Sequence, residues 1–142
     1  MRSSILLRVA SLISLLYFAG HTSGRPWTPS KGAETDALVG MMKSYRFEVL
    51  GSSRTYWDFY QGFGLAISVH LLVQTVVLWE LGRMARTDPS RVRSLIAVFG
   101  VALLANAFLA WKFFFAPPAA FAIAIAACLW LAFFFARPKP AA

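Results

Sequence analysis

Four long stretches of this chain carry no Asp, Glu, Lys or Arg: residues 9–24, 59–79, 94–111 and 113–136, with 16, 21, 18 and 24 residues. A helix of roughly 20 apolar residues crosses the hydrocarbon core of a bilayer. Only helices and closed barrels satisfy their own backbone groups in lipid, and none of the four stretches alternates as a barrel strand does. The runs therefore predict an all-α integral membrane protein, a four-helix transmembrane bundle in one membrane domain over 1–142. Composition agrees, with 58% of residues hydrophobic and 14% charged, about half the charged share usual in soluble domains. So apolar a chain is not disordered. Cys128 is the only cysteine, which excludes a disulfide scaffold and thiol–disulfide chemistry between two sulfurs.

Spans are expected at about 5–24, 59–82, 93–112 and 117–136. The first is the least clear. Arg2 and Arg8 precede a short apolar stretch, Val9 to Gly20, and small residues follow, so a signal peptide cleaved after Gly20 or Gly24 is the alternative. If Arg8 snorkels to the interface, the run lengthens to a full span, and Pro26 and Trp27 then suit a helix end and an interfacial anchor. The net charge of +8 does not indicate nucleic acid, because the basic residues flank the spans. Eight Lys and Arg fall at the two termini and in the turn 83–93, against six on the other side. Four of the eight, Arg83, Arg86, Arg91 and Arg93, lie within eleven residues. The positive-inside rule thus places both termini and this turn in the cytoplasm and the loop 25–58 outside. The expected location is the bacterial inner membrane.

Only the loop 25–58 is long, and long loops usually have structure or function of their own. Leu38, Met41, Met42, Tyr45 and Val49 recur at helical spacing, which predicts a short amphipathic helix from Asp36 to about Ser44, capped by Thr35. Tyr45 to Leu50 alternates apolar and charged residues and has an extended reading as well. Gly51-Ser52-Ser53 breaks it, and Ser53 is the expected cap of the next helix. Asp88-Pro89-Ser90 is a stop followed by a serine cap for the third span. Arg54 and Asp58, four apart, are an expected surface ion pair, as is Glu80 with Arg83 or Arg86. Ala120, Ala124 and Ala127 form a small-residue stripe for close packing of the last helix, with the triplets 113–115 and 133–135 of phenylalanine facing lipid.

The run Met42-Lys43-Ser44-Tyr45-Arg46-Phe47-Glu48-Val49-Leu50-Gly51-Ser52-Ser53-Arg54-Thr55-Tyr56-Trp57-Asp58-Phe59-Tyr60-Gln61-Gly62-Phe63-Gly64, with Gly20-His21-Thr22-Ser23-Gly24 at the end of the first span, resembles a family of small bacterial four-span membrane proteins without an assigned activity. The likeness covers about residues 4–112. It implies four spans, an uncleaved first helix and a long first loop, and it brings no substrate. A looser likeness, of architecture alone, is to four-helix oxidoreductase-like membrane proteins of the DoxX type.

Polar groups inside membrane spans are costly and are the natural candidates for function. Here they are His21, His70, Gln74 and Asn106. His70 and Gln74 share one helix face. His70 and Asn106 lie equally far from the turn's centre at Asp88, so in an antiparallel hairpin they would be level, roughly 10–12 Å below the outer boundary. With His21 they form a candidate ligand-binding set in the outer half of the bundle, beneath a lid made by residues 36–50. The plainer alternative is that each makes an ordinary interhelical hydrogen bond. Two histidines without a cysteine cluster or HExxH give no metal spacing, no nucleophile motif is present, and no cofactor is expected. The sequence favours an accessory or structural subunit, or a binder of a lipid-like ligand. The competing class is a small membrane enzyme or electron-transfer partner using His70 and His21. The partners admitted are the lipid bilayer, a lipid-like small molecule and another membrane protein, with nucleic acid excluded.

Overall fold

A computed structural model describes residues 1–24 and 31–136. The elements in order are α1 (Arg2–Ser23), α2 (Ala33–Ser44), β1 (Arg46–Val49), β2 (Ser52–Thr55), α3 (Tyr56–Thr87), a 3₁₀ turn (Pro89–Val92), α4 (Arg93–Phe113) and α5 (Ala116–Phe135). Four helices are long and apolar enough to cross a membrane: α1, α3, α5, and α4 together with its 3₁₀ turn. The expected anchors Pro26 and Trp27 lie outside the described residues, as do Arg25, Arg137 and Lys139. Two compact units make up the chain, Met1–Phe18 with Leu71–Ala142, and Ala19–His70.

In the first unit, four helical segments share one core. Leu7 and Ala10 of α1, Leu71, Leu78 and Leu81 of α3, Ile96 and Leu103 of α4, and Ile125 and Leu129 of α5 are all buried there. Each helix buries a narrow stripe. In α4 it is Ile96, Gly100, Leu103, Ala107 and Ala110, a three-and-four spacing that keeps one seam turned to its neighbours. The remaining faces are apolar and exposed, as with Leu16, Val76, Val98, Val101 and Ile123. A helix in water would carry charge on those faces, whereas one in lipid has no reason to.

Small residues set the close approaches. On α5 the buried alanines are Ala119, Ala122, Ala126 and Ala132, not the expected 120/124/127 stripe, in which Ala120 and Ala127 are exposed. The side chains at 121, 125 and 129 decide which face turns inward: Tyr17 stacks on Phe121 with ring centres 5.1 Å apart, and Ile125 and Leu129 are fully buried. At Gly100 an added Cβ would meet the Trp130 ring at 3.1 Å. Phe113, Phe114 and Phe115 are exposed as expected, but Phe133 is partly buried against the core, so only two of the second triplet face outward.

The 3₁₀ turn explains why Ser90 does not cap α4. The Asp88 carboxylate accepts from the Ser90 N–H at 3.0 Å and the Ser90 hydroxyl at 2.6 Å. Asp88 is the cap, and the chain runs through Val92 into α4 without a side-chain cap. The Ser90 hydroxyl, with its N–H and Arg91 acting the same way, holds the Asp88 carboxyl below the usual carboxylate range. Ion pairs join Arg91 to Asp88 at 3.1 Å and Arg83 to Glu80 at 2.8 Å, the latter as expected.

The unit Ala19–His70 holds α2 and an antiparallel hairpin in which Arg46 faces Thr55 and Val49 faces Ser52. The helix at 33–44 starts three residues before Asp36, with Gly32 rather than Thr35 at its cap. The extended reading holds for 46–49, and Gly51-Ser52-Ser53 does not break the structure but begins its second strand. Leu50 and Gly51 both have positive φ, 47° and 77°, as a two-residue turn matched to strand twist requires. Ser53 is spent on the hairpin, where its hydroxyl accepts from Arg46. The cap of α3 is Thr55: its N–H donates to Asp58 Oδ2 at 2.8 Å, and the Asp58 N–H donates to Thr55 Oγ1 at 3.1 Å. This reciprocal capping box takes the carboxylate expected to pair with Arg54, which donates instead to the Ser53 carbonyl. Phe47 and Tyr45 lean on Tyr56 with ring centres 4.9 and 5.8 Å away. Met41 and Leu50 are 69% and 101% exposed.

Candidate functional site

Along α1 the small polar residues Ser4, Ser11 and Ser14 are buried on one face. Their spacing of seven and three is that of a helix seam. Across from them α3 offers Gly82, Thr75 and Leu71. A hydroxyl on a short stem lets two helices come close, and an α-helical carbonyl has a second lone pair to accept with. The Ser4 hydroxyl donates to Gly82 O at 2.6 Å and the Ser11 hydroxyl to Thr75 O at 2.7 Å. Ser14 is a hub: its oxygen accepts from Gln74 Nε2 at 2.9 Å and sits 3.0 Å from Thr75 Oγ1. Thr75 has one hydroxyl proton and a nearer acceptor, Leu71 O at 2.8 Å. With that proton on Leu71, Ser14 donates to the Thr75 oxygen, a better bond than its own 3.4 Å approach to Leu71 O.

Gln74 thus belongs to this seam. Asn106 lies exposed on α4 between the buried Leu103 and Ala107. Both histidines lie in the other unit. His21 Nε2 is 3.0 Å from Gly64 O, and Thr22 donates to Ser68 Oγ at 2.9 Å. His70 is exposed, with Nδ1 2.7 Å from Ala66 O in its own helix. Carbonyls only accept, so the proton sits on Nε2 of His21 and on Nδ1 of His70. Among the described residues no hydrogen bond joins His21 to His70, or Gln74 to Asn106. No cluster of three or more metal-ligating side chains occurs among the described residues either.

Sequence reasoning missed the serine seam. It weighed only the strongly polar residues, whereas the signal was periodic: Ser4, Ser11 and Ser14 on one helix, and Gly64, Ser68, Thr75 and Gly82 on the other.

A second feature gathers where α1 and α4 begin and α3 and α5 end. Three guanidinium groups lie over aromatic rings: Arg8 over Trp79 at 4.9 Å, Arg93 over Phe133 at 4.2 Å and Arg2 over Phe135 at 5.4 Å. Such stacking is favourable because the ring face is electron-rich. The Nε atoms of Arg8 and Arg93 are buried without a hydrogen-bond partner.

Comparison with known proteins gives no match to this chain among protein-family models, curated proteins or solved structures.

Proposed function

We propose that this chain is a four-span inner-membrane protein that serves as an accessory or structural subunit, holding another membrane protein against its exposed apolar faces. The observation that carries this reading is the serine seam. Ser4, Ser11, Ser14 and Gln74, which α1 and α3 place inside apolar helices, are spent on helix–helix bonds, the use expected of a scaffold. In the same reading the arginine-rich end of the first unit, with Arg2, Arg83, Arg86, Arg91 and Arg93, is cytoplasmic, and the hairpin lies outside. The likeness of residues 42–64 and 20–24 to small four-span bacterial proteins supports the same picture.

Purification from native membranes in a mild detergent tests the role. The expected result is a stoichiometric second membrane protein in a preparation without visible absorbance. A lone chain, or one carrying a haem or flavin band, overturns it.

Topology is tested by single cysteines at Leu50 and Thr87 in a Cys128→Ala background, labelled with a membrane-impermeant thiol reagent in spheroplasts. Leu50→Cys is expected to react at once and Thr87→Cys only after lysis. The reverse pattern inverts the orientation.

A further inference from the structure

Arg8 is the one charged residue within the buried stretch of α1, and it is always ionised. Its unit contains two described acids, and both are engaged by other arginines, Glu80 by Arg83 and Asp88 by Arg91. Arg8 is nonetheless held in place. Its guanidinium carbon lies over the Trp79 ring, 4.9 Å from the centroid. Its methylene stem crosses Gly82, where an added Cβ would meet Arg8 Cγ at 3.1 Å and Ser4 O at 3.3 Å. The missing side chain at 82 is the cradle for the stem. The group is therefore a held cation whose Nε is buried without a partner, half-buried as a whole beside a Trp79 that is 42% exposed.

The surface beside it has the polarity of an amphiphile. Leu12 follows Arg8 by one turn on the same face of α1. Val76 and Leu72 precede Trp79 on the same face of α3, and all three are exposed. A positive fork thus sits between one and two turns into α1, and an apolar track leads from it toward the middle of the helices. We propose that this surface binds an anionic phospholipid, with its phosphate on Arg8 and its acyl chain along Leu12, Val76 and Leu72. The guanidinium fork matches phosphate geometry, and the unneutralised charge selects an anionic over a zwitterionic headgroup. The site rests on the membrane placement proposed above, which carbonate extraction of the same membranes checks separately: release of the chain would refute the placement whatever the lipid result.

The test is native mass spectrometry of the detergent-solubilised full chain with phosphatidylglycerol, phosphatidylcholine or inorganic phosphate. Wild type is expected to retain phosphatidylglycerol about fivefold better than phosphatidylcholine, and millimolar phosphate should not displace it. Arg8→Gln should abolish that preference and Arg93→Gln should leave it intact. Arg8→Lys, which keeps the charge and guards against misfolding of the neutral variant, should keep part of it. Equal retention of the two lipids by wild type overturns the proposal. So does displacement by free phosphate, or an equal loss in Arg8→Gln and Arg93→Gln.

Discussion

Gly82→Leu is expected to destabilise the protein by about 2–3 kcal/mol in a detergent-to-SDS unfolding titration, the upper range for overfilling a packed site. The position has no room, since a single Cβ already meets Arg8 Cγ at 3.1 Å and Leu7 Cβ at 3.4 Å. The flexible arginine stem gives way easily, but Ser4 O at 3.3 Å is backbone. Relief must come from moving α1 off α3, which also lengthens the 2.6 Å bond from Ser4 to Gly82 O. Gly62 is the matched control, with nothing within 4 Å of an added Cβ. Gly62→Leu should stay within about 0.5 kcal/mol of wild type. If the two substitutions cost the same, close approach of α1 and α3 is not what Gly82 provides.

Ser14→Ala is expected to cost about 1–1.5 kcal/mol, near the upper end for hydrogen bonds within membranes. The serine is fully buried, and its loss leaves the Gln74 amide without the acceptor it has at 2.9 Å. An unmet buried donor costs more than the bond was worth. Gln74→Leu should cost less, because it removes the donor as well. The double variant should therefore fall short of additivity by about 0.5–1 kcal/mol. Strict additivity would separate Gln74 from the hub. Asn106→Ala, on an exposed face of α4, should be close to neutral in the same assay.

The long helices were legible in the sequence because bilayer thickness imposes a minimum length on any uncharged run. Their ends were less so. Arg8 lies well inside α1, and Arg83 and Arg86 inside α3, since a long basic side chain does not end a helix. The caps failed for a related reason. Thr35, Ser53 and Ser90 are all suitable caps, but a hydroxyl near a helix start is useful only if the chain turns there. The hairpin claims Ser53, the helix begins before Thr35, and Asp88 reaches Ser90 first. The serine seam was hidden for a different reason. His70 and Asn106 stand out in a hydropathy average, and serines do not. Yet a hydroxyl on a short stem reaches a carbonyl only where two helices come close, so apart from Gln74 the residues that bond across α1 and α3 are inconspicuous ones.

The hydroxyl seam has one reading frame. Ser4, Ser11 and Ser14 all reach α3, two of them at backbone carbonyls. Moving α1 by a single residue would swing each hydroxyl by 100° about its axis, away from every acceptor at once. During synthesis α1 emerges long before α3, and until then its serines can bond back to carbonyls of their own preceding turn. The helix is thus complete while it waits. In the folded chain those hydroxyls are given to α3 instead, so the seam is satisfied across the two helices in this one register.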